Sequence, residues 1–263
     1  MSKDTDSRNL ALFCDFENVA LGARDARFEA FDVFKVIERL LLKGSIVVKK
    51  AYCDWQRYAD FKRAMHEAAF ELIDIPHLRQ SGKNSADIRL VVDALDLCYT
   101  KSHVDTFVII SGDSDFSPLV SKLRENNKLV IGVGVKSSTS DLLTANCDEF
   151  IFYDDLVQSE QKQRKRRGGR GKAKKEDPHQ EVFDLVLETY EAVVAERDDD
   201  DKIWGSMIKQ TLKRRRPGFS ESAYGFSSFS ELLEAMSKAG LLTLRRDERS
   251  GGFLIVKLGG GKD

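Results

Sequence analysis

Long apolar runs are missing from this 263-residue chain. Nothing in it approaches the ~20 consecutive apolar residues that a bilayer span needs, which excludes a membrane-spanning helix. The opening residues MSKDTDSRN are polar and hold no apolar core of a secretory signal, so secretion is not expected. Cysteine is scarce: Cys14, Cys53, Cys98 and Cys147 stand far apart without paired spacing. That excludes a disulfide framework or a zinc site and points to free thiols in a reducing cytoplasm. The histidines His66, His77, His103 and His179 form no ligand spacing either. A Gly-x-Ser-x-Gly elbow, a Cys–His pair and a Walker loop are all absent, so no rival nucleophile or nucleotide cradle presents itself. Charge of one sign does not dominate, with 42 Lys+Arg against 43 Asp+Glu, and a hydrophobic fraction of 41% is too high for wholesale disorder.

The near-zero net charge conceals an uneven distribution. Residues 1–155 carry 20 basic and 25 acidic side chains, residues 156–177 carry nine and three, and residues 178–263 carry 13 and 15. The middle stretch includes QKQRKRRGGRGKAKKE, with three glycines and no aromatic or β-branched residue. Such a segment cannot bury enough apolar surface to order itself, so it reads as a flexible linker between a domain at 1–155 and another at 178–258. Its cations, Arg166 and Arg167 among them, suit a polyanion tether because each one that neutralises a phosphate releases a counterion. A solubilising spacer is the plainer alternative.

The first domain alternates strand and helix signals. Apolar runs at Leu10–Phe16, Ser45–Tyr52, Glu71–Ile75, Thr106–Ile110, Leu129–Val135 and Phe150–Tyr153 read as strands. Between them, helical spacing appears over Ala30–Leu42 (Phe31, Phe34, Ile37, Leu40, Leu41), through Phe61, Met65 and Ala69, and over Ser85–Tyr99, Phe116–Arg124 and Ser140–Asn146. Strands apolar on both faces, alternating with helices, predict an α/β fold with a mostly parallel sheet between helical layers. In the second domain Pro178 opens a helix with a stripe of Phe183, Val186, Leu187, Tyr190 and Val194. Trp204, Ile208 and Leu212 mark a second helix, Phe229–Ala239 a third ending at Gly240, and Leu241–Leu244 with Phe253–Val256 a hairpin. Three helices and a hairpin suggest a small winged helix-turn-helix. The run DDDD at 198–201 reads as a solvated loop.

In an open parallel sheet, side chains just past the carboxyl ends of strands converge on a shared crevice. Asp15 ends the first predicted strand, with Asn18 in DFEN, Asp113 and Asp115 follow TFVII in SGDSDF, and Asp87 opens a helix in NSADIRL. Each alone serves equally well as a cap or turn residue. Together they describe a negative crevice whose charge must be balanced by protons or cations. Oxygen-only ligands suit Mg²⁺ or Mn²⁺, and such an ion polarises a phosphodiester and activates water.

At these residues the sequence resembles a known family. ALFCDFENVA (11–20), KNSADIRLVVD (83–93), VIISGDSDFSPLV (108–120), IGVGV (131–135) and CDEFI (147–151) are similar to the NYN domain, a PIN-like nuclease fold, over roughly residues 8–155. The resemblance implies a PIN-like domain with metal-dependent ribonuclease activity. Asp15, Asp87, Asp113 and Asp115 would ligate Mg²⁺ or Mn²⁺ directly or through water, and Asn18 would hold substrate or a metal-bound water. Ser111 and Ser138 would donate to phosphate or else satisfy local turns. Asp93 matches a recurrent acidic position, but it lies six residues from Asp87 on another helical face and reads as structural. The segment GSMIKQTLKRRRPGFSESAYGFSSFSELLEAM resembles the OST-HTH (LOTUS) module over roughly 178–258, which implies an RNA-binding or partner-binding winged helix. There Lys209, Lys213, Arg214, Arg215 and Arg216 are placed to meet phosphates, or equally to complement a helix C-terminus.

A cytoplasmic, metal-dependent RNA endonuclease follows as the leading expectation, with RNA held by the linker and the winged helix. Two alternatives remain. One is a non-catalytic RNA-binding regulator that keeps the fold. The other is a haloacid-dehalogenase-type phosphatase, which wants an Asp where Glu17 stands.

Overall fold

A computed structural model of the chain describes residues 8–76, 84–158, 178–197, 202–247 and 251–258. Most of the predicted linker, with Arg166 and Arg167, lies outside the described residues, as do His77 and the acidic run 198–201. The described residues form two compact units, 8–158 and 178–258.

The first unit runs β1 (Asn9–Asp15), α1 (Phe16–Asp25), α2 (Val33–Leu41), β2 (Ser45–Cys53), α3 (Lys62–Glu67), β3 (Glu71–Asp74), α4 (Ser85–Thr100), β4 (Thr106–Ile110), α5 (Ser117–Glu125), β5 (Leu129–Gly134), α6 (Asp141–Asn146) and β6 (Glu149–Phe152). Its six strands form one parallel sheet in the order β3-β2-β1-β4-β5-β6. Side chains alternate across a strand, so β1 feeds two cores at once. Leu10, Leu12 and Cys14 pack with Phe16 and Val19 of α1 and Val33, Val36 and Leu40 of α2. Ala11 and Phe13 pack on the opposite face with Leu90 and Ala94 of α4 and Val120 and Leu123 of α5. Burial on both faces is what made these strands read as continuous apolar runs.

Three local departures have plain causes. Helix α1 escapes the apolar-stripe test because part of its buried face is Gly22 and Ala23. Gly22 is needed there: a Cβ would fall 2.3 Å from Ser138 Oγ. In α2 the buried face is Val33, Val36 and Leu40, and Phe34 is 40% exposed; Asp32 caps the helix at the Phe34 N–H, so it starts at Val33, three residues past Ala30. The helix predicted through Ala69 stops at Glu67, since Ala69 takes a left-handed φ of 58°.

The second unit comprises α7 (Pro178–Val194), β7 (Ile203–Trp204), α8 (Gly205–Arg215), α9 (Phe229–Lys238), β8 (Leu242–Arg246) and β9 (Phe253–Leu258). The strands form an antiparallel sheet in the order β7-β9-β8, so Trp204, read as helical from sequence, belongs to a third short strand. Val182, Phe183, Val186 and Val193 of α7 pack on Ile208 and Leu212 of α8 and Phe229, Leu232 and Met236 of α9. Val194, expected in the stripe, is 39% exposed, because the buried face runs through Val182, Val186 and Val193. Gly240 sits past the end of α9 at φ 72°, the left-handed position a helix-ending glycine serves. Among the described residues, no helix is long and apolar enough to cross a membrane.

Candidate active site

The strand order reverses between β1 and β4, and at such a switch point the loops leaving the carboxyl ends diverge and leave a crevice. Asp15 is the last residue of β1, and Ser111–Asp115 follow β4. Neighbouring strands therefore deliver both acidic segments to one place.

Asp15 is 7% exposed. Its Oδ1 accepts the Asn18 N–H at 3.4 Å, capping α1, and its Oδ2 accepts the Ser111 hydroxyl at 2.9 Å. Asn18 then reaches back: its Oδ1 accepts the Gly112 N–H at 2.9 Å, tying the start of α1 to the loop after β4. Gly112 allows this closeness, since a Cβ there would fall 2.3 Å from the Ser138 carbonyl oxygen. Asp113 caps the short turn 114–116 through the Asp115 N–H at 2.9 Å, and its own N–H donates to Ser111 Oγ at 3.2 Å. Asp87, half-buried, stands in the first turn of α4.

Electrostatics binds these groups into one site. Burial, first, and then the Asp87 charge push the Asp15 carboxyl up to about 7, against the pull of its bonds to Ser111 and Asn18. Burial, then Asp113, Asp115 and Glu17, push Asp87 up to about 6. Four aspartates thus share one field, and all of them repel. Glu17 is the carboxylate that sequence reasoning passed over; it lies in the first turn of α1 and is paired with Arg57 at 3.0 Å. Its place inside DFEN was the available signal.

Of the two roles expected for Ser111 and Ser138, the phosphate contact needs correction and the local turn is what the structure shows. Ser111 is fully buried and its hydroxyl proton is committed to Asp15, so it orients the carboxylate and does not face a phosphate. Ser138 donates to the Val135 carbonyl at 3.3 Å and packs on Gly22, which makes it a turn residue. The ligand set is also looser than a cage: among the described residues, no group of three or more His, Cys, Asp or Glu side chains stands in a metal-holding arrangement. The donors still fit a hydrated hard cation, because Mg²⁺ keeps several waters and takes one or two carboxylates plus substrate phosphate. The mutual repulsion that raises Asp15 and Asp87 is what a cation would relieve.

Asp93 takes no part. It accepts from Arg89 at 2.9 Å, Tyr52 at 3.0 Å and Lys50 at 3.2 Å, the structural role expected of it. In the second unit, Lys209 of α8 pairs with Glu221 at 2.7 Å and Arg215 with Glu188 of α7 at 3.3 Å, while Arg216 stands just past the end of the helix. Arg214 donates to the Thr211 hydroxyl at 3.1 Å. Lys209, Arg214 and Arg215 are partly buried, whereas Lys213 and Arg216 are exposed.

Comparison with known proteins agrees with this picture. The NYN domain profile matches residues 9–154 and the OST-HTH/LOTUS domain profile matches residues 178–252. A crystal structure of a protein of unknown function from Vibrio parahaemolyticus is similar at 28% identity and a TM-score of 0.51, over 59% of this chain and 98% of that one. An uncharacterized protein from Methanocaldococcus jannaschii is 29% identical over 129 residues, which is 48% of this chain, and the chain spans about half of that relative, 50% of its length. NYN domains have a nuclease-type fold, and OST-HTH/LOTUS is an RNA-binding type of domain. With its six-stranded parallel sheet, strand-end aspartates and profile match over more than half its length, the chain belongs to the NYN domain family and carries an OST-HTH/LOTUS domain after it.

Proposed function

We propose that this protein is a metal-dependent ribonuclease that cuts RNA internally at the β1–β4 crevice and holds the strand with its OST-HTH unit and basic linker. One observation carries the reading: Asp15 is 7% exposed and fixed by Ser111, and its burial, followed by the charges of Asp87 and Asp113, raises its carboxyl to about 7. Buried carboxylates set among like charges cluster at functional sites, and a cation there would offset the repulsion.

Asp15 and Asp87 are the residues to hold Mg²⁺ or Mn²⁺, with Asp113 and Asp115 joining directly or through water. Bound there, the ion supplies the Lewis acid and the lowered water pKa that phosphodiester hydrolysis needs. The Ser111 hydroxyl keeps the Asp15 carboxylate aimed, and Asn18 holds the β1 and β4 loops together through Gly112. Labelled RNA incubated with Mn²⁺ tests the proposal. Cleavage is expected from the native chain and not from Asp15→Asn or Asp113→Asn; cleavage surviving both substitutions refutes the site.

The looseness of the ligand set favours a second reading, a non-catalytic RNA-binding regulator that keeps the fold. Calorimetry with Mn²⁺ separates the two. A binding heat abolished by Asp115→Asn counts against the second reading.

A further inference from the structure

The second unit holds a half-enclosed pocket of about 620 Å³ that neither the aspartate site nor the domain match accounts for. It lies between the first turns of α8 and α9 and the start of the loop joining β8 to β9, with Trp204, Phe229, Phe253 and Leu233 among its walls. Trp204 and Phe253 are only half-buried although both are large and apolar, so flat aromatic surface stays open to solvent. Ser206 and Ser230, both exposed, stand at the second positions of α8 and α9 and put hydroxyls at the rim.

Charge selects the occupant. Two charged side chains line the pocket, Lys209, which is paired with Glu221 at 2.7 Å, and Asp247, whose carboxylate disfavours a bare phosphate, so the interior suits a neutral ring better. Outside it, Arg246 is exposed and pairs across the sheet with Phe253, which places a cation beside the aromatic wall. An aromatic slot whose lysine is already paired, with the Arg246 cation at its edge, matches one chemical class, a nucleobase on a polyanionic strand. Base-on-aromatic stacking is sequence-tolerant, and phosphates supply the charge.

We infer that this pocket takes one unpaired nucleobase of single-stranded RNA, stacked against Trp204 and Phe253, with a flanking phosphate on Arg246. The inference rests on the RNA-holding role proposed for this unit. It adds that binding reads a base as well as the backbone.

The molecule carries its own reporter. Trp55, the other tryptophan, is 1% exposed in the first unit and gives a constant background, while Trp204 is open to quenching. The full chain is titrated in EDTA, so that nothing is cut, with an oligoadenylate of about eight nucleotides and with an abasic ribose-phosphate strand of equal length and charge. The oligoadenylate is expected to quench tryptophan emission saturably and to bind about fivefold or more tightly than the abasic strand. Ser230→Phe, which fills the pocket from an exposed position, should bring its affinity down to the abasic level. Trp204→Phe should abolish the signal while anisotropy still reports binding. Equal affinity for the two strands, or an unchanged affinity in Ser230→Phe, would overturn the base pocket alone. No binding of either strand would overturn it together with the RNA-holding role, leaving the cleavage test above to judge the nuclease separately. Saturable quenching by an amphipathic leucine-rich peptide but not by the oligoadenylate would overturn it in favour of a protein partner.

Discussion

The two ends of the acidic stretch on α4 make opposite use of the same side chain. Near the start of the helix, Asp87 faces Asp113, Asp115 and Glu17, and burial followed by those charges raises its carboxyl to about 6. Six residues on, burial also pushes Asp93 up, but hydrogen bonds from Arg89, Lys50 and Tyr52 more than offset it and hold the group below the usual carboxylate range. Asp93 faces cations and donors; Asp87 and Asp15 face like charges. Hydrogen-bonded in this way, Asp93 ties α4 to the sheet, whereas under the proposed function the charge shared by Asp87 and Asp15 is what a cation would offset.

Paired substitutions break the comparison most sharply. Asp15→Asn should lower Mn²⁺-dependent RNA cleavage by about 100-fold or more, the scale for removing one preorganised electrostatic group. Thermal melting of the metal-free chain should meanwhile hold or rise, because the substitution removes a repelling charge. Asp93→Asn should do the reverse. It leaves the buried Tyr52 hydroxyl and the Lys50 ammonium short of their acceptor, a cost of about 2 kcal/mol, while cleavage per folded molecule stays near native. If both variants lose activity and stability together, the division between the two ends of α4 is wrong.

A pH series sharpens the same contrast. Folded Asp15 and Asp87 keep protons to about 7 and about 6, whereas unfolded carboxyls release theirs near 4. The folded state therefore binds more protons, and metal-free stability should fall as pH rises from ~5 to ~8. Saturating Mg²⁺ should flatten that slope. Asp93 has the opposite sign: its contribution is present above the unfolded carboxyl pKa and is lost as pH falls through its depressed value. Urea titrations at several pH values, with and without the ion, read both effects.

The smallest effect is expected on α8 and just past its end. Replacing exposed Lys213 and Arg216 by Gln should reduce the salt slope of RNA affinity by about one unit or more, with no change in melting. Replacing Lys209 and Arg215, which are paired with Glu221 and Glu188, should lower the melting temperature instead and leave the slope nearly unchanged.

Much of the first unit was legible because burial on both sheet faces writes itself into the chain as apolar runs, and β4 appears at Thr106–Ile110 as read. Helix α1 was illegible because its buried face includes Gly22 and Ala23, chosen for closeness to the 136–138 turn and not for apolarity. At the site, Asp15, Asp87, Asp113 and Asp115 were visible as strand-end and helix-start acids. Nothing local distinguished Ser111 as an orienting residue from a phosphate donor, because that depends on a hydrogen bond across two strands.

Residue order by itself determined where strands and helices alternate and which acids stand at strand ends, since these depend on periodicity within a few neighbouring positions. Tertiary structure alone decided that β1 and β4 lie side by side, that Asp15 loses its water while gaining like charges, and that Asp93 finds three donors. Desolvation and Coulomb repulsion act through space, between groups the chain keeps far apart.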